Sequence, residues 1–89
     1  MSYRSIDFTK SFIKQFKLLR PAQKKQFYVR LALYEADPQA KVLNDHAIKG
    51  KYIGYRSMNV SGDLRALYRV DGDRIILFCF IGTHSQLYG

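Results

Sequence analysis

The chain has 89 residues, 47% of them hydrophobic and 25% charged, with fifteen Lys+Arg against seven Asp+Glu and a formal net charge of +8. That length supports one domain over residues 1–89 with a single core, so an active site is expected as a shallow surface groove rather than a deep cofactor cavity. The longest apolar run, Ile75 to Ile81, has seven residues against the ~20 of a membrane span. Met1 to Ser5 carries no apolar signal core, and the one cysteine excludes an internal disulfide. The expectation is a cytoplasmic protein with no membrane partner.

In chain order, Tyr3 to Phe8 suits a short strand. Thr9 follows as a helix cap, with Phe8 and Ile13 placed as a hydrophobic staple around it. Phe8, Phe12, Phe16 and Leu19 recur at helical spacing, and Lys10, Lys14 and Lys17 take the other side. Pro21 ends this helix and opens a second, whose apolar stripe is Phe27, Leu31 and Tyr34. Asp37-Pro38 closes it, because the residue before proline is pushed out of helical geometry. Residues 38–54 read as an irregular, glycine-punctuated stretch.

Three strands complete the pattern. Tyr55 to Val60 alternates, with Arg56, Met58 and Val60 on one face and Tyr55, Ser57 and Asn59 on the other. After a Ser61-Gly62-Asp63 turn, Leu64 to Val70 puts Leu64, Ala66, Tyr68 and Val70 together and Arg65, Leu67 and Arg69 opposite. Asp71-Gly72 signals a hairpin. Arg74 to Ile81 is apolar on both faces, as a strand covered on both sides would be. Gly82 breaks it, and Thr83 to Tyr88 forms a short tail. The whole reads as an α+β fold, β-α-α-β-β-β, with two helices packed on one face of a mainly antiparallel sheet.

Charge is concentrated in the first third. Residues 1–30 carry eight basic groups and one acid, a net of +7, whereas residues 61–89 balance at three against three. A polyanion is the expected partner of such a region; a solvated helix face is the plainer reading. Gly50 and Gly54 do not make a phosphate-cradling loop. Two histidines thirty-eight residues apart and one cysteine give no metal-ligand spacing, so no metal and no cofactor are expected. Cys79, inside the apolar strand, reads as core.

Few groups capable of acid–base work remain: His46, Asp63, His84 and Tyr88, with Arg65 as a fixed positive charge. Each falls at an element's end or on the side of a strand away from the core. Any of them taken singly also fits an ordinary surface residue.

The C-terminal half resembles the RelE/ParE superfamily of toxins from type II toxin–antitoxin pairs, and most of all the YafQ-type mRNA interferases. The residues carrying the resemblance are Asp45-His46-Ala47-Ile48-Lys49-Gly50, Gly54-Tyr55-Arg56, Gly62-Asp63-Leu64-Arg65-Ala66-Leu67-Tyr68, and the ending Gly82-Thr83-His84-Ser85-Gln86-Leu87-Tyr88-Gly89. The resemblance implies a ribosome-dependent endoribonuclease that cuts mRNA in the A site, with the ribose 2′-oxygen attacking the neighbouring phosphate. The products would be a 2′,3′-cyclic phosphate and a 5′-hydroxyl. It assigns His46 as base and His84 as acid, roles suited to a group that titrates at about 6.5 unperturbed. Asp63 would orient a histidine or act as base itself, Arg65 would stabilise the phosphate as in the Arg-x-x-Tyr strand of RelE and YoeB, and Tyr88 would be a platform for a base. Arg56, Asn59, Lys49 and Lys51 complete the expected substrate-binding set. Asn59 and Leu64 stand where YafQ-type toxins often carry His and Trp, and Asn cannot take a proton near neutral pH. A cognate antitoxin, the ribosome and mRNA are the implied partners.

Two other readings fit the same fold. A ParE-like gyrase inhibitor would poison a protein target and has no need of titratable groups at positions 46 and 84. An inactive basic RNA-binding member would bind RNA with a steep salt dependence and leave it intact.

Overall fold

The computed structural model describes residues 5–72 and 75–88. Tyr3, Arg4, Arg74 and Gly89, which enter the sequence reading above, lie outside them. The first element is strand β1, Ser5–Phe8, followed at once by helix α1, Lys10–Lys17. Thr9 makes that junction. Its hydroxyl accepts from the Phe12 N–H at 3.1 Å and donates to the Cys79 carbonyl at 3.0 Å, so one side chain caps the helix and ties it to the sheet. Ile13 does not form the expected staple. It remains 45% exposed, and Phe8 stacks instead on Phe12, with ring centroids 5.1 Å apart. The apolar floor that Phe8 needs lies toward the sheet, and Phe12 is the residue of the first turn that faces it.

Helix α2, Pro21–Ala36, starts with proline at its first position, and the Arg20 N–H donates to Gln23 Oε1 at 3.0 Å. It ends at Asp37, before Pro38, as the proline rule requires. The two helices cover one face of a five-stranded sheet in the order β1-β5-β4-β3-β2, where β2 is His46–Ala47, β3 Arg56–Ser61, β4 Leu64–Asp71 and β5 Ile75–Thr83. β1 runs parallel to β5; every other pairing is antiparallel. This is the expected α+β fold, with one strand and one helix more than the sequence reading contained. The additional strand is β2, inside the stretch read as irregular, which also holds 3₁₀ turns at Lys41–Leu43 and Gly50–Tyr52. The additional helix is α3, His84–Tyr88, where a tail was expected.

The main core lies between the helices and the sheet. Phe12, Phe27 and Phe78 are buried at its centre, with Phe27 5.3 Å from Phe12 and 5.4 Å from Phe78. Tyr34 of α2 meets Tyr68 of β4 edge-on at 5.3 Å. Val70 departs from the alternation expected of its strand and is 40% exposed, because it stands beyond the part of β4 that α2 covers. Cys79 is buried as expected. It is the extra residue of a bulge in β5, between the Tyr68–Phe78 and Leu67–Phe80 pairs, and its thiol pKa is pushed up by burial. No helix among the described residues is long and apolar enough to cross a membrane.

Candidate active site

The face of the sheet away from α1 and α2 is built by the strand register. Asn59 of β3 pairs with Arg65 of β4, and Arg65 pairs with Gly82 of β5. Directly paired residues project to the same side, so these three form one row across three strands. One step further out, Leu64 pairs with Thr83. Asp63 precedes Leu64 and His84 follows Thr83 on antiparallel strands, so both leave the sheet at the same end, immediately beyond the Arg65 row. Asn59 donates from Nδ2 to the Gly62 carbonyl at 3.3 Å, closing the turn that holds Asp63.

Helix α3 folds back over this end. Thr83 and Gln86 form a reciprocal cap: Gln86 Oε1 accepts from the Thr83 N–H at 2.8 Å, and Thr83 Oγ1 accepts from the Gln86 N–H at 3.2 Å. The Thr-x-x-Gln spacing was present in the sequence and is the signal that marks Thr83 to Tyr88 as a helix. Gly82 is where α3 crosses closest. A Cβ there would lie 3.1 Å from Gln86 Oε1 and 3.3 Å from Gln86 Cβ, so a larger residue would need Gln86, and the cap it makes, to give by a few tenths of an ångström.

Aromatic contacts fix which side His84 occupies. Its ring lies 4.7 Å from Tyr88, Tyr88 lies 5.3 Å from Tyr52, and Tyr52 lies 5.4 Å from Phe80. Phe80 pairs with Leu67 on the face that carries Arg65. The Tyr52 hydroxyl also donates to the Leu87 carbonyl at 2.7 Å, tying the segment between β2 and β3 to α3. Lys51 Nζ stands over the Tyr52 ring, 5.3 Å from its centroid, so this lysine is carried to the α3 side. Lys49 is exposed in the same segment. None of Tyr52, Tyr55 and Phe80 was named as a site residue from the sequence. Their clustering depends on a loop crossing the sheet, which no spacing rule reports.

His46 lies in the edge strand rather than ahead of a strand as expected. It pairs with Ser57, Ser57 with Leu67 and Leu67 with Phe80, so it shares the face of Arg65. Two strands and two residues separate its backbone from that of Arg65, roughly 12 Å by ordinary sheet spacings. In strand order Arg65 stands between His46 and the β5–α3 junction that carries His84. The structure therefore gathers Asn59, Asp63, Arg65, His84 and Tyr88 at one end of the face and sets His46 at its edge.

Arg56 is not brought there. It pairs with Tyr68, whose ring belongs to the helix-side core, and its Nε donates to Asp45 Oδ1 at 2.7 Å. That bond raises the guanidinium pKa above its ordinary value. Arg65 is in the opposite situation. Its Nε is buried and has no hydrogen-bond partner among the described residues, whereas leaving such a donor unmatched costs about 1–3 kcal/mol. No three His, Cys, Asp or Glu side chains among the described residues gather as a metal site would need.

Comparison with known proteins gives the family of the chain. The family model described as "Bacterial toxin of type II toxin-antitoxin system, YafQ" matches residues 4–89. The chain is 28% identical over 93 residues to the mRNA interferase toxin YafQ of Escherichia coli strain K12, covering the whole of both. The crystal structure of YafQ from E. coli BL21(DE3) superimposes with a TM-score of 0.81 at 27% identity, over 97% of this chain and 99% of that one. The E. coli DinJ-YafQ complex does so with a TM-score of 0.74 at 28% identity, over 97% and 99%. This chain belongs to the YafQ family of bacterial type II toxin–antitoxin toxins.

Proposed function

We propose that this toxin is an mRNA endoribonuclease acting in the ribosomal A site, without a metal or other cofactor, through residues on the face that carries Arg65. His46 takes the proton from the ribose 2′-hydroxyl, and the 2′-oxygen attacks the adjacent phosphorus. Charge that develops on the phosphate oxygens is met by Arg65. His84 gives a proton to the departing 5′-oxygen, leaving a 2′,3′-cyclic phosphate and a 5′-hydroxyl. Asp63, beside His84 at the end of the sheet, orients that imidazole. Tyr88 and Lys51 receive the flanking nucleotides, one by stacking and the other by charge. Asn59 closes the turn next to Arg65 by a hydrogen bond, where a titrating histidine would have been a further acid–base group.

The observation that supports this reading is the strand register that sets Arg65 on the face it shares with His46, in strand order between His46 and the β5–α3 junction that carries His84. A guanidinium fixed by its strand on that face meets the phosphate with its charge already oriented, and that is electrostatic preorganisation toward a transition state. The cognate antitoxin is the second partner. The lysine-rich outer sides of α1 and α2 suit an acidic segment that folds on binding. Induction of the wild type and of His84→Ala in a host lacking the antitoxin tests the proposal. Arrest by the wild type alone, with new mRNA ends at A-site codons on purified translating ribosomes, is the expected result. Arrest with intact mRNA and gyrase–DNA cleavage complexes would overturn it.

A further inference from the structure

The ion pair that holds Arg56 away from the proposed site ends next to His46. Asp45 accepts from Arg56 Nε through Oδ1 and from the Tyr68 hydroxyl through Oδ2. Its side chain is only 10% exposed, and a carboxylate that deep is costly unless fully partnered. Tyr68 is itself shaped by the contact. Burial, then the bond to Asp45, pushes its phenol pKa far above the ordinary 10.0. The next residue is His46, in a strand of only two residues, too short to fix its own register. Just before it, Asn44 turns the chain in the left-handed region at φ 45° and bonds its N–H to the Lys41 carbonyl at 3.0 Å. The Asn44 carbonyl lies 2.7 Å from His46 Nδ1. A carbonyl only accepts, so in the neutral imidazole Nδ1 carries the proton and Nε2 keeps its lone pair.

We propose that Asp45 is a positioning residue for His46: anchored across the sheet by Tyr68 and Arg56, it fixes the edge strand so that Asn44 holds the imidazole as the Nδ1–H tautomer with Nε2 available as base. The base assignment is the one made above, and this inference rests on it. Asp45 touches no substrate. It acts through the backbone it shares with His46, from the opposite face of the sheet. The arrangement resembles the way second partners set the tautomer of a ligating histidine elsewhere.

The test measures the tautomer directly. In the ¹⁵N-labelled full chain, at a pH where the imidazole is neutral, the His46 ring resonances report which nitrogen is protonated. The wild type is expected to show Nδ1–H alone, and Asp45→Ala a mixture of the two tautomers. On ribosomes Asp45→Ala is expected to lower kcat about tenfold, with KM within about twofold, as loss of orientation rather than of binding. Tyr68→Phe removes one anchor without emptying the core, and is expected to move tautomer and kcat the same way by a smaller amount. It decides the matter if Asp45→Ala does not fold. A folded variant that keeps the wild-type tautomer overturns the proposal. Full activity in His46→Gln removes the base assignment instead, and leaves the tautomer measurement to judge the anchor separately.

Discussion

Two arginines on neighbouring strands sit on opposite faces of one sheet, and the contrast between them separates stability from chemistry. Arg56 faces the helices' side, with Nε committed to a carboxylate that Tyr68 shares. Arg65 faces the other way, with a buried Nε that no described residue satisfies. Both are β-strand arginines in the same hairpin. Their difference comes from what their face offers: on one side an aromatic core and a buried acid, on the other a shallow surface bordered by α3 and the Tyr52 segment.

The comparison is sharpened first by removing the centre of the helix-side core. Phe27→Ala is expected to cost about 3–5 kcal/mol, read as a lower urea midpoint, because Phe27 touches rings from β1, α1 and β5 at once. Arg65→Ala is the counterpart. It is expected to reduce single-turnover cleavage on ribosomes by roughly 10²-fold, with ribosome association unchanged and the urea midpoint equal or higher, since an unmatched buried donor is gone. Undiminished cleavage in this variant would dissolve the contrast between the arginines.

Arg56→Ala should lose stability instead, and lower cleavage less than Arg65→Ala does, since Tyr68 still anchors Asp45. The guanidinium is 44% exposed, so loss of its pair is expected to cost about 1 kcal/mol in urea unfolding. The smallest effect concerns pH. Because the Tyr68 phenol is held above its ordinary value in the fold, the folded state binds that proton more tightly than the unfolded chain does. Its contribution is complete below about pH 10 and falls as pH rises past the unfolded value. Tyr68→Phe is therefore expected to flatten the decline in stability above about pH 10, and an unaltered alkaline limb would show that the phenol is not linked to folding.

The layout of the helices was legible in the sequence because local rules governed it. Thr9, Pro21 and Asp37-Pro38 punctuate the chain by backbone chemistry that needs no tertiary partner. The alternation around Arg65 was legible for the same reason, since a strand of period two assigns faces by itself. Ile13 and Val70 escaped those rules, because their exposure depends on how far the neighbouring element extends over them. The last helix was written in Thr83 and Gln86, yet five residues do not hold a helix alone; packing over Gly82 does.

Sequence by itself determined the first strand, the two long helices and the last three strands, the cationic first third, and the few titratable residues on which a reaction could draw. Family membership was also legible there, in blocks of residues at set spacing. Only the tertiary structure decided that Arg65 keeps a buried donor unmatched while Arg56 does not, and that Asp45, next to His46 in the chain, is bonded to Arg56 and Tyr68. It also decided that His84 is carried onto the Arg65 face by a stack running through Tyr88 and Tyr52. Those outcomes turn on strand order and on which side chains fill each face, and both are set by contacts between residues tens of positions apart.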